Sequence, residues 1–200
     1  MSEKAKRGRP KTLNTSDVVD VAMHAYWQDG PENVSLNSVV KRAGVAKPSI
    51  YREFGNEDGL TKAALAHYAE CVLTKVIALL TSDASFHDRI NAVAHLSAKD
   101  PLHENGCLFV KMRANQSALG ENTRALIGQM DAMALAAFEQ ALREGLENGD
   151  WRGNIPVPQA AQYLHAQIGL ALDMRARGED PKDVIALALS IFSRPTDAPA

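Results

Sequence analysis

One glycine between two short amphipathic runs constrains this chain more than any other feature. Residues 35–54 read S-L-N-S-V-V-K-R-A-G-V-A-K-P-S-I-Y-R-E-F. Ser35 can cap a helix with its hydroxyl, and Leu36, Val39, Val40 and Ala43 then recur at spacings of three and four. Gly44 stands where that helix must stop, in the left-handed conformation that only glycine reaches cheaply. Val45 fills the corner, and a second helix follows from about Lys47 with Ile50 and Phe54 facing inward. Lys47, Ser49, Tyr51 and Arg52 are left on its outer side. Two short helices at such a turn, the second basic and hydrogen-bonding outside, have the form that enters a DNA major groove. A helical hairpin with a solvated outer face satisfies the same pattern.

Charge is distributed in a way that favours the DNA reading. The formal net charge is only -2, but residues 1–54 hold nine Lys and Arg against six Asp and Glu. The remainder holds 13 against 18. A basic N-terminal part on an acidic body suggests that only the former meets a polyanion. Residues 1–13 form a polar arm without apolar periodicity, expected to be disordered. Within it Arg7-Gly8-Arg9-Pro10 resembles the core of an AT-hook, whose two guanidiniums lie in the narrow, strongly negative minor groove. A solubilising tail is the competing interpretation.

A helix over 16–28, carrying Val18, Val19, Ala22, Met23 and Tyr26 and stopped by Gly30-Pro31, completes a three-helix unit. Tyr26, Trp27 and Phe54 are expected to close its small core. From Asn56 an apolar helical period runs unbroken to about Leu80, about 36 Å at 1.5 Å per residue, long enough to enter a second domain. Further helices are expected over 85–98, 106–117, 121–147, 158–177 and 181–192, and nothing alternates like a strand. The chain is therefore expected to be all-α with about nine helices. It divides into an arm (1–13), a helix-turn-helix domain (14–55), a helical regulatory and dimerisation domain (56–194) and a tail (195–200). Residues 184–192 are apolar nearly all round, and the preceding helix mixes small residues with Leu164, Ile168, Leu170 and Leu172. Helices at 158–177 and 181–193 pairing with their copies would bury a dimer face.

Cys71 and Cys107 form neither a disulfide framework nor a CxxC metal site, in keeping with a reducing cytoplasm. No secretory leader opens the sequence, and the apolar runs are shorter than the roughly 20 residues that span a bilayer. The six histidines give no metal motif, so neither metal nor cofactor is expected. The absence of G-x-S-x-G, P-loop and dinucleotide fingerprints argues against an enzyme.

Over about residues 14–65 the sequence resembles the TetR family of bacterial one-component transcriptional regulators. The likeness is carried by G-V-A-K-P-S-I-Y-R-E-F-G-N-E-D-G-L after the first two helices; beyond them it is architectural. It implies a dimer on a palindromic operator, and a C-terminal domain that dimerises through its last two helices and holds a small molecule that releases the DNA. By position, Lys47, Pro48, Ser49 and Arg52 fall on the exposed side of the recognition helix and Tyr51 on a phosphate-touching tyrosine. With Ser35, Arg7, Gly8 and Arg9 they form the expected DNA-binding set. Two residues depart from the pattern. Ala46 replaces a capping Ser or Thr, and Glu57 replaces a basic residue near phosphate. A cavity among the body helices is implied by the same resemblance, with His67, Cys71, Cys107, Met112, Phe138, Tyr163 and His165 as lining residues. Cys107 has two readings: a small buried thiol, or a reactive one favoured by a nearby helix start and by Lys111. The second would make the chain a thiol-based sensor. A ligand-independent architectural DNA binder is the remaining alternative.

Overall fold

The computed structural model describes residues 14–192 except Arg152 and Asn154, with Leu102 in backbone only. The arm, with Arg7, Gly8 and Arg9, and the tail lie outside the described residues. Those described form ten α-helices and two short 3-10 turns, without a strand. The helices are α1 (Thr15–Asp29), α2 (Leu36–Ala43), α3 (Lys47–Phe54), α4 (Glu57–Cys71) and α5 (Leu73–Leu80), followed by α6 (Phe86–Lys99), α7 (Leu108–Ala114), α8 (Glu121–Glu147), α9 (Val157–Ala176) and α10 (Lys182–Ser190).

The expected long helix from Asn56 is two. Val72 departs from helical geometry at φ -116° and separates α4 from α5. Together they make the 24-residue stretch Glu57–Leu80, within which an 18-residue window has a mean hydropathy of 1.5, so that by length and composition alone it could cross a membrane. Counting contiguous apolar residues missed it, because the apolar positions are interspersed with small and polar ones. Here it packs as a component of the body, burying Leu60, Ala64, Leu65 and Tyr68. The expected helix over 106–117 is likewise shortened to α7, with a 3-10 turn at Gln116–Ala118.

Two hydrophobic clusters organise the interior. The first starts at Val18, Ala22 and Tyr26 of α1, takes Val39 of α2 and Ile50 of α3, and continues through Leu60 and Tyr68 to Leu108, Met112, Ile127 and Leu172. Each fully buried side chain of this size stabilises the fold by about 1.5–3 kcal/mol. Because the cluster is continuous, the helix-turn-helix shares its interior with α4, α7 and α8. Trp27 shows this directly. Rather than closing a separate small core with Phe54, it turns toward the body, stacking edge-on against Tyr68 at 4.9 Å and donating its indole N–H to the Gly106 carbonyl at 2.8 Å.

The second cluster gathers Leu80, Phe86, Ile90, Phe138, Leu142, Trp151, Leu164 and Phe192 around α6, α8 and α9. Arg89, also buried, donates to the Leu80 carbonyl at 3.0 Å and to Glu144 at 2.5 Å, tying α6 to α8. α10 is apolar on more sides than this cluster covers: Leu187 is 69% exposed, and Ile191 and Leu170 of α9 are exposed as well.

Candidate nucleic-acid interface and effector cavity

Ser35 caps α2 by accepting from the Ser38 amide at 3.2 Å, and Gly44 ends it at φ 65°, ψ 32°, the left-handed conformation that the turn requires. The chain re-enters a helix at Lys47 with Pro48 in the first turn, where its missing N–H removes nothing. Ile50 is fully buried and anchors α3. Pro48, Tyr51 and Arg52 are exposed and Lys47 and Ser49 half-buried, so one side of α3 is free to meet a ligand. The Lys47 ammonium lies 5.7 Å from the centre of the Tyr51 ring, which pairs the two on that side.

Both departures from the family pattern have a structural counterpart. Ala46 occupies the N-cap of α3 and supplies no side-chain hydrogen bond. Glu57 is exposed in the first turn of α4, whose cap is Asn56, accepting from the Gly59 amide at 2.8 Å. Gly59 is needed at the α3–α4 joint, since a Cβ there would run into the Phe54 carbonyl.

Between the helices of the body lies a cavity of about 70 Å³. Tyr68 and Val72 form one wall, Cys107, Phe109 and Val110 the next, Met130, Ala134 and Phe138 of α8 a third, and His165, Ile168 and Leu172 of α9 the fourth. Of the side chains expected at such a cavity, Cys107, Phe138 and His165 line it. The other four do not. His67 sits on the α1–α4 seam near Asp20 and Glu70, Cys71 is exposed, Met112 is packed in the first cluster, and Tyr163 lies against Phe192 in the second. The helical period accounts for two of them, because His67 and Cys71 are four apart and share a side of α4 that is turned away from the one carrying Tyr68. His103, Arg113 and Tyr68 also line the cavity and were not legible in sequence. His103 lies in a 3-10 turn at Pro101–His103 that no periodicity announces.

Cys107 is 6% exposed and accepts a hydrogen bond from the Tyr68 hydroxyl at 3.1 Å. Burial pushes its thiol up. Tyr68, the Phe109 and Val110 amides and the Arg113 charge pull it down, and burial wins. In this resting arrangement the sulfur is a thiol rather than a thiolate. Lys111, expected to assist it, points elsewhere: its ammonium donates to the Trp27 carbonyl at 2.6 Å.

The cavity wall is thereby bonded to the helix-turn-helix end. Tyr68 bridges Cys107 and Trp27. Gly106, adjacent to Cys107, accepts from Trp27, and Lys111 of α7 grips the last turn of α1. Gly106 adopts φ 75° and passes so close to α9 that a Cβ would strike Ala176. A second tie runs from α4 to α8. Asp58 closes the N-terminus of α8, accepting from the amide and side chain of Asn122 at 2.8 and 2.9 Å and from the amide and hydroxyl of Thr123 at 3.0 and 2.6 Å. Among the described residues no group of three or more His, Cys, Asp and Glu side chains is disposed to hold a metal ion.

Residues 18–64 match the family of bacterial regulatory proteins described as the tetR family. The transcriptional repressor ComR of Escherichia coli is 27% identical over 179 residues, covering 86% of this chain and 84% of ComR. The E. coli repressor NemR is 29% identical over 154 residues, 75% of this chain and 77% of its own. The crystal structure of E. coli NemR in its reduced form superposes with a TM-score of 0.79 at 26% identity, covering 91% of this chain and 98% of that one. The chain belongs to the TetR family. The fold is also that of CifR, a family member whose cysteine-substituted form was solved on 26-base-pair operator DNA, with a TM-score of 0.68 at 20% identity over 92% of this chain and 98% of that one. As a TetR-family protein the chain is a DNA-binding transcriptional regulator built on a helix-turn-helix.

Proposed function

We propose that this TetR-family regulator is a cytoplasmic repressor that sits on a palindromic operator as a homodimer and leaves it when a small molecule enters the body cavity. Residues 14–55 serve DNA reading, with 1–13 as a basic arm, and 56–194 serve sensing and pairing. The observation that carries the reading is the bonded path from the cavity wall to α1 through Tyr68, Trp27 and Gly106. A guest that binds one arrangement of that wall better than another shifts the DNA-binding end with it. Lys47, Pro48, Ser49 and Arg52 supply base and groove contacts, Tyr51 a phosphate contact, and Arg7 and Arg9 with Gly8 between them reach the minor groove. Pairing through α9 and α10 accounts for the uncovered Leu170, Leu187 and Ile191. The repressor names of ComR and NemR and the operator complex of CifR favour the same reading.

Selection of bound sequences from random duplex DNA by the full chain tests it. A two-fold symmetric consensus is expected, and Arg52→Ala should relax one position in each half-site whereas Tyr51→Phe weakens all sites alike. Failure to enrich any sequence would refute it.

A second reading, a thiol-based sensor, is favoured by the place of Cys107 on the cavity wall in contact with Tyr68. Modification of the sulfur would break the Tyr68 hydrogen bond and push on the same path. Alkylation by iodoacetamide should then release operator from a Cys71→Ser chain but not from a Cys71→Ser/Cys107→Ser chain. Equal release from both would eliminate this reading.

A further inference from the structure

His103 is the least expected group on the cavity wall. It is 3% exposed, it lines a cavity whose other contributors are mostly apolar, and neither ring nitrogen meets a well-directed hydrogen-bond partner in the protein. Buried polar atoms almost always find a partner, and one left without costs stability. The ring is retained in a place where a hydrocarbon would pack better. Burial lowers its proton affinity, and Arg175 and Lys75 lower it further, against the opposing pull of Asp100 and the Leu96 carbonyl. It is therefore neutral at pH 7, with one N–H to donate and one bare nitrogen to accept.

Most other polar groups at the cavity are already engaged. Arg113 donates to Asp131 at 2.8 Å and lies over the Phe109 ring, and Ser97 donates to the Val93 carbonyl. His165, 3.7 Å from the same Asp131 oxygen, is beyond hydrogen-bond reach of it but is less buried than His103. A carboxylate or phosphate entering beside Arg113 would meet Asp131 as well, and a cation would meet Arg113. Neither charge is welcome. An apolar guest with no polar group would displace the water that can serve His103 and give nothing back.

We propose that the cavity takes an uncharged, benzene-sized molecule whose hydroxyl or carbonyl hydrogen-bonds to His103. This rests on the cavity being the effector site. At about 70 Å³ the space is smaller than the roughly 150 Å³ cavity that accepts benzene. Such a guest must therefore select a widened arrangement of the walls that carry Tyr68 and Cys107. Binding and displacement of the path to Trp27 are one event, which is what an effector requires.

Calorimetric titration of the full chain with phenol, toluene and benzoate tests the assignment, with operator binding measured on the same samples. Phenol is expected to bind and benzoate not. His103→Phe should lower the ratio of phenol to toluene affinity about tenfold, the worth of one buried hydrogen bond. His103→Asn, which keeps a donor and an acceptor, should retain most of the ratio. An unchanged ratio in a folded His103→Phe chain would overturn the role of His103 while leaving the cavity as effector site. Tighter binding of benzoate would overturn the uncharged class. If no probe binds, the proposal fails on size and chemistry together, and the effector reading is then judged separately by whether any other compound releases the operator.

Discussion

Asp58→Ala removes the group that closes α8. Gly120 at the N-cap contributes no side chain, so the amides of Asn122 and Thr123 depend on Asp58 of α4. A lost cap costs about 1 kcal/mol, a charge-assisted one about twice that, and the favourable charge at a helix N-terminus adds about 0.3–1 kcal/mol. Asp58 is partly open to solvent, which discounts the sum and leaves about 2 kcal/mol. For a chain of this length each kcal/mol moves the melting midpoint by about 2–4 °C, so a fall of roughly 4–8 °C is expected at fixed protein concentration. Gly120→Ala attacks the same joint from the other side, because its Cβ would collide with the Asp58 carboxylate. The two substitutions should therefore be less than additive. Burial raises the Asp58 pKa, but the hydrogen bonds from Thr123 and Asn122 outweigh it and the carboxyl is held below its ordinary value. The contribution is thus full above the ordinary carboxylate range and lost as pH falls through the folded value, so wild type and Asp58→Ala should converge in acid. Urea and thermal unfolding at pH 7 and pH 4 measure this. A loss below about 0.5 kcal/mol at pH 7, or strict additivity with Gly120→Ala, would refute the joint.

Trp27→Phe keeps the ring against Tyr68 but deletes the hydrogen bond to Gly106, leaving a buried carbonyl unpaired; a loss of about 1–3 kcal/mol in urea unfolding is expected. His103 and His165 are both held below their ordinary pKa by burial, so each opposes folding once the unfolded histidine charges. Stability should fall as pH drops from 7 toward 5, with a shallower slope in His103→Phe, read from melting midpoints across that range. Leu187→Glu, at the exposed centre of α10, should shift the chain from dimer to monomer in sedimentation while leaving its helical content intact.

The helical architecture was legible because its signals are local: caps at Ser35 and Asn56, the stop at Gly44, and apolar periods that place most helix ends within two residues. The break at Val72 was not, since no proline or glycine marks it and the apolar period runs straight through. The outer side of α3 could be read by the same logic, because burial of Ile50 fixes the opposite side. The cavity was not legible in that way. Helical spacing tells which residues turn inward, but which inward residues meet a void depends on how four helices cross. Cys107 and Phe138 meet it whereas Met112, equally apolar and inward, is consumed by packing. Asp58 reads as a favourable first-turn acid of its own helix, and nothing local reveals that it serves another helix some 64 residues later in the chain.

Linkage between the cavity and the operator tests the account most directly. Phenol affinity should be measured calorimetrically for the free chain and for the operator-bound chain, alongside operator affinity with and without saturating phenol. The account predicts weaker phenol binding on DNA, by the same factor by which phenol weakens operator binding. Equal phenol affinity in the two states would contradict it.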